Sequence, residues 1–313
     1  MDFECTATYD GRVLTVRGEV LGGGEINKSR REMVRHILFL PGVTAIQEHA
    51  FCRCGNLSSI TLPEGLTRIG DSAFCDCSSL SSITLPVGIT KIGRDAFRRC
   101  TSLVSINIPE RVTKIEEGAF RNCTSLSSLS LPEGITTIEE MAFRDCVSLP
   151  SIVLPARVRS IGVYAFFYCH SLTSITLPAG LTTIGKQAFM CCTGLTSIVL
   201  PESLTTIEWM AFNGCSSLSS IILPEGLTAL GHEAFYCSSL SSITIPEGVT
   251  TIGWDTFAGC SRLSSITLPK GLTTIEKRAF SNCTSLSSIT IPEGVTTIED
   301  HAFSGCRTSG AAQ

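Results

Sequence analysis

Histidine, tryptophan and tyrosine are scarce in this chain, at five, two and four among 313 residues. The histidines, at 36, 49, 170, 232 and 301, share no motif. That removes the usual base for acid–base or nucleophilic chemistry. No apolar run reaches the ~20 residues that a membrane-spanning helix needs. An excess of either charge is also missing. The formal net charge is −4, without the basic face that general nucleic-acid binding uses. No G-x-x-x-x-G-K-[ST] phosphate loop occurs, and no cofactor is expected. Met1-Asp2-Phe3-Glu4-Cys5 lacks the basic and apolar regions of a secretory signal. The expected location is therefore cytoplasmic, or exported by a non-classical route.

What is present is a repeat. A Leu-Pro or Ile-Pro pair recurs with its proline at 41, 63, 86, 109, 132, 155, 178, 201, 224, 246, 269 and 292. Most steps are 23 residues, and two are 22, after Pro41 and around Phe235-Tyr236-Cys237. Self-similarity at such a period signals a solenoid, because one coil cannot bury its apolar face without neighbours.

Each column has a physical task. Leu80, Ile83 and Leu85 carry apolar residues with period two, the mark of a short strand, so Ser82 and Thr84 face outward. Proline ends the strand and Gly88 or its equivalents turn the chain. Leu66 and Ile69 form a second inward pair. Ala-Phe follows, read as a short helical or 3₁₀ turn. The phenylalanines at 51, 74, 97, 120, 143, 166, 189, 212, 235, 257, 280 and 303 predict an aromatic ladder, and Thr256 is the one break in the alanine column. The expected fold is an α/β repeat, a solenoid of about twelve coils. Each coil has one parallel strand, a short second strand and a helical turn, and at ~4.8 Å per coil the stack spans roughly 58 Å.

Leu-Pro-x-Gly-Leu-Thr-x-Ile-Gly, Ala-Phe-x-x-Cys and Ser-Leu-x-x-Ile, repeated over residues 36–306, resemble the BspA-like branch of the leucine-rich-repeat family. The resemblance implies adhesion or protein–protein interaction, often at a cell or pathogen surface, with many members exported. Residues 1–40 read as an N-terminal cap: a β-hairpin around Tyr9-Asp10-Gly11, a glycine break at Gly22-Gly23-Gly24, and a capping box at Ser29-Arg30-Arg31-Glu32 opening a short helix. Residues 307–313 read as a polar tail. The last coil has no following strand in the sequence, which leaves an end-to-end contact as one expectation.

Comparison among the copies separates constant from variable columns. The outward Ser/Thr columns are nearly uniform, broken at Asn107, Val153, Val199 and Ile222. They resemble the flat arrays of ice-binding solenoids, and equally suit a plain solvated sheet face. Variation concentrates beside Ala-Phe. Tyr164, Phe167, Tyr168, Met190, Trp209, Met210, Tyr236 and Trp254 fall there, with Arg94, Arg98 and Arg99 as steering charges. Aromatic and arginine residues are common binding hot spots. The alternative is that the rings pack locally and the charges are merely solvated. The first reading is a non-catalytic scaffold that binds an unidentified protein. Its alternatives are a surface adhesin or exported effector of BspA type, and an ice-binding solenoid.

Twelve of the sixteen cysteines, Cys237 among them, are read as one packed column of buried thiols. Cys52-x-Cys54 and Cys75-x-Cys77 fall in adjacent coils, and four thiolates would suit zinc. Cys54 and Cys77 belong to the packed column, however, while Cys52 and Cys75 should point elsewhere, so no metal site is assigned. Adjacent coils also bring Cys52 and Cys75 within disulfide range.

Overall fold

The protein is seen here as a computed structural model that describes residues 6–10, 12–17, 20–21 and 31–307. It divides into two compact units, Met1–Arg157 and Val158–Gln313. Both are parallel β-solenoids built from the same coil.

In the first unit Ser59–Thr61, Ser82–Thr84, Ser105–Asn107 and Ser128–Ser130 pair in parallel, each residue opposite its equivalent in the next coil. Ala45–Ile46, Arg68–Ile69 and Lys91–Ile92 form a second ladder. In the second unit Ser197–Val199 pairs with Ser220–Ile222, and Ser242–Thr244 with Ser265–Thr267. Ser160–Ile161, Thr183–Ile184, Thr206–Ile207 and Ala229–Leu230 make its short-strand ladder. Ile83 and Leu85 are buried while Ser82 and Thr84 are exposed, as alternation requires.

A threonine column just before the short strands, distinct from the outward Ser/Thr face, has a structural task. Thr67 Oγ1 donates to the Thr44 carbonyl at 3.1 Å, Thr90 to Thr67 at 3.2 Å and Thr205 to Thr182 at 3.3 Å. Each hydroxyl therefore ties its coil to the one before. Glycine after the inward residue of the short strand answers close packing, since a Cβ on Gly231, after Leu230, would lie 2.4 Å from the Trp209 amide nitrogen.

The phenylalanine ladder runs through both interiors. Phe51, Phe74, Phe97, Phe120 and Phe143 stack with centroids 5.2–5.7 Å apart. Phe166, Phe189, Phe212, Phe235, Phe257, Phe280 and Phe303 do so at 5.3–5.6 Å. A coil rise near ~4.8 Å forces the rings to offset, the arrangement their quadrupoles favour. Thr256, in the alanine column, donates its hydroxyl to the Gly253 carbonyl at 2.9 Å and so sits buried without an unmet polar group.

The expected helical turn does not form. Ala-Phe segments are turns throughout, because the backbone alternates its partners. Ala50, Cys52 and Cys54 N–H groups donate within their coil, to Gln47, His49 and Phe51 carbonyls. His49, Phe51 and Arg53 N–H groups donate to Asp71, Ala73 and Cys75 of the next coil. A helix would take every N–H for itself. The alternation needs left-handed residues two places before and two after each ladder phenylalanine. In the seventh coil these are Gln187, with φ 54°, and Cys191, with φ 59°.

The cysteine column also needs one correction. Ser238 N–H bonds to Phe235, as column cysteines do with their own phenylalanines, and Cys237 is exposed. The residue missing from that coil is lost after the column position, so Ser238 takes the buried place and Cys237 turns outward.

At the beginning, β1 (Thr6–Asp10) pairs antiparallel with β2 (Val13–Arg17). β3 (Val20–Leu21) and β4 (His36–Phe39) follow, and β4 joins β2 in parallel. β3 pairs with β5 (Ala45–Ile46), the first short strand. Leu14, Val16 and Val34 are buried there, and Phe39 meets Phe51 edge-on at 6.0 Å. The glycine break, the Ser29 end of the capping box and the tail after Arg307 lie outside the described residues. Arg31 is helical, and Glu32-Met33 are already a turn. Among the described residues no helix is long and apolar enough to cross a membrane.

Candidate functional site

The left-handed turns push the variable columns outward, and three groups of candidate side chains result, one in the second unit and two in the first. In the second unit Tyr168, Trp209, Tyr236 and Trp254 are exposed by 37%, 42%, 37% and 39%. Tyr164, Phe167, Met190 and Met210 are half-buried. The local-packing alternative therefore applies to part of the set. Phe167 makes edge contacts with Tyr164 at 5.3 Å and Tyr168 at 4.4 Å, forming a small cluster beneath the Tyr168 ring.

Polar groups surround the two exposed tryptophans. The Trp209 indole donates to Glu233, whose carboxylate also accepts from Asn213 Nδ2 at 3.1 Å. Burial raises the Glu233 pKa and the Trp209 bond opposes it. The Trp254 amide donates to His232 Nδ1 and Glu276 Oε2, both at 2.9 Å. The Arg278 guanidinium lies 5.6 Å from the Trp254 ring and donates to Asp255 Oδ2 at 2.6 Å. Tyr236, Trp254, Asp255 and Arg278 line one cleft of about 310 Å³. Arg278 had no sequence signal, since an arginine beside Ala-Phe looks like any solvated charge.

The first unit holds the arginines. Arg94 pairs with Glu117 at 2.8 Å, Arg98 with Asp95 at 3.3 Å and Arg99 with Asp76 at 3.5 Å. These charges are largely offset by carboxylates, and such surface pairs contribute little to stability. Arg121 stands between Arg98 and Arg144 in one column. Burial first, then repulsion from those two, lowers its pKa. Arg98 Nε and Arg121 Nε are buried without a hydrogen-bond partner.

A third group lies in a cleft of about 700 Å³, lined by Arg31, Gln47, His49, Cys52, Cys75, Asp76 and Arg98 among others. The sulfurs of Cys52 and Cys75 and a carboxylate oxygen of Asp76 all lie within 4.8 Å of one another. The four-cysteine arrangement does not form. Cys77 donates to the Phe51 carbonyl at 3.2 Å from a fully buried column place. Burial drives the thiols of Cys54 and Cys77 upward, Cys54 to about 12. The residues that could hold a metal are therefore Cys52, Cys75 and Asp76. Period alignment pairs the two cysteines, and Asp76 follows Cys75 directly. Arg31 lies outside the repeat, so periodicity had no means of finding it.

The strand face carries exposed apolar side chains of its own. Val199 and Ile222 stand side by side there, each 84% exposed, among the hydroxyls.

A family model described as a BspA type leucine rich repeat region, in six copies, matches residues 44–172, 92–199, 136–263 and 182–309. Among solved structures, a leucine-rich repeat protein from Bacteroides ovatus is 29% identical. The match covers 98% of this chain and 91% of that one, with a TM-score of 0.82. A leucine-rich repeat protein from Eubacterium ventriosum is 25% identical over 98% and 94% of the two chains, with a TM-score of 0.64. A leucine rich cell surface protein from Faecalibacterium prausnitzii is 28% identical over 97% and 98%, with a TM-score of 0.57. No curated protein matches the chain.

Proposed function

Because the chain belongs to the BspA type leucine-rich-repeat family, we propose that it is a non-catalytic scaffold that holds a protein partner through the columns beside Ala-Phe. The observation that carries this reading is the set of four exposed rings, Tyr168, Trp209, Tyr236 and Trp254, in places where other coils carry polar residues. The Trp209 indole is braced by its hydrogen bond to Glu233, and the Trp254 ring by the Arg278 guanidinium 5.6 Å from its centroid. A ring already held in place loses little freedom on binding, which is what makes an anchor strong. Phe167 and Tyr164 support Tyr168, Met190 and Met210 add adaptable apolar surface, and Arg94, Arg98 and Arg99 supply charge toward an acidic partner.

The test is capture from the native source by wild type and by a Tyr168→Ala/Trp209→Ala variant. A protein held by the first and lost with the second identifies the partner and supports the site. Equal capture by both refutes it.

The second reading is display as a surface adhesin, favoured by the 28% likeness to a protein described as a cell surface protein. Surface labelling of intact cells separates it from a cytoplasmic location. Ice binding has less support, since Val153, Val199 and Ile222 interrupt the hydroxyl face.

A further inference from the structure

Two thiols leave the buried column together. Cys52 and Cys75 stand at the same place in adjacent coils, one residue after the ladder phenylalanine, where the next coils carry Arg98 and Arg121. The ladder holds them in register, with Phe51 N–H on the Ala73 carbonyl and Arg53 N–H on the Cys75 carbonyl, both at 2.7 Å. Their sulfurs lie within 4.8 Å of each other. Cys191 and Cys237, the other described thiols beside the column, have Gly214 between them in their own column.

The surroundings of the pair are asymmetric. Both line the cleft of about 700 Å³, but Cys52 is half-buried and Cys75 almost fully buried. Cys75 donates its S–H to Asp76 Oδ2 at 3.3 Å, which holds its proton in place. Arg31 Nη1 donates to the carbonyls of His49 and Cys52, and Arg98 lines the same cleft. Guanidinium groups beside a sulfur favour the thiolate and disfavour a bound cation. Asp76, the third donor a metal would need, is already shared with Arg99 at 3.5 Å.

We propose that Cys52 and Cys75 form a peroxide-reactive dithiol, in which Cys52 attacks and Cys75 resolves. The Cys52 thiolate attacks one oxygen of a hydroperoxide. An S–O bond forms, the O–O bond breaks, and the leaving alkoxide or hydroxide takes a proton from water. The Cys75 sulfur then attacks the sulfenic sulfur. The S–S bond forms, the S–O bond breaks, and the hydroxyl leaves as water with the Cys75 proton. The peroxide is reduced by two electrons and the two thiols are oxidised to one disulfide. The product links the first two coils of the ladder beside Arg31.

The experiment needs only the reduced full-length chain and hydrogen peroxide. Trypsin cuts after Arg53, so Cys52 leaves on a different peptide from Cys54, and tandem mass spectrometry separates Cys75 from Cys77. The expected product is a Cys52–Cys75 crosslink reversed by dithiothreitol. Cys75→Ser should instead accumulate sulfenic acid at Cys52, trapped by dimedone. With iodoacetamide at neutral pH, Cys52 should react roughly 10-fold or more faster than Cys54 or Cys100 in the same molecule. Wild type that forms no such crosslink, or alkylates Cys52 no faster than the column thiols, overturns the proposal. So does purified protein that carries a stoichiometric divalent ion lost in Cys52→Ser.

Discussion

A ladder phenylalanine touches only its own coil and the two beside it, yet its removal should be costly. Phe120 is fully buried between Phe97 and Phe143. Phe120→Ala should destabilise by about 3–5 kcal/mol, and an outward Ser105→Ala by less than about 0.5 kcal/mol, read from urea unfolding. The column thiols set a pH dependence. Burial raises Cys54 and Cys123 from 9.0 to about 12 and Cys260 to about 11. The folded state therefore keeps these protons after the unfolded state has lost them. Their contribution is complete below pH 9.0 and is lost as pH rises from there toward the folded values. Each such thiol should cost up to about 1.4 kcal/mol per pH unit in that range. The urea midpoint should fall between about pH 8 and about pH 10.5; a constant midpoint would mean that the thiols are solvated.

The turn around Ala-Phe is the element that decides what the surface presents. Its left-handed places are filled mostly by side chains that resist that conformation, and glycine occupies them at 118, 214, 259 and 305. Each non-glycine residue there costs on the order of 1 kcal/mol. Gln187→Gly should therefore leave stability unchanged or raise it by up to about 1 kcal/mol. Gly214→Val should lower it, since φ is 70° and its Cβ would lie 3.1 Å from Cys191 Sγ. Thermal unfolding of the two variants checks both signs, and destabilisation by Gln187→Gly would show that its side chain contributes more than the strain removes. At Tyr168, with φ 59°, the strained backbone carries one of the exposed rings. Strain at a surface aromatic agrees with selection for a contact rather than for stability.

For the whole molecule, stability is a sum over coils and their neighbours, so protection should be uneven along the chain. Ile298, in the last short strand Thr297–Ile298, is 49% exposed, while Ile275 in the strand before it is fully buried. Amides of Thr297–Ile298 should exchange with deuterium well before those of Thr251–Ile252; equal protection would indicate that a further element or partner covers that face. Partner capture belongs to this scale too, because Tyr168, Trp209, Tyr236 and Trp254 come from four different coils, and only stacking sets their spacing.

Periodicity alone determined the number of coils, the inward columns, the phenylalanine ladder and the places free to vary, because each coil faces the same burial problem as its neighbours. Only the tertiary structure decided three matters. The turn is not helical, because hydrogen bonds alternate between a coil and the next, and a helix period cannot be told from that alternation over so few residues. Ser238 rather than Cys237 fills the column, because the backbone absorbs the missing residue after that place. Arg31 reaches the coil of Cys52 from outside the repeat and bonds the His49 and Cys52 carbonyls, where no period connects it to them.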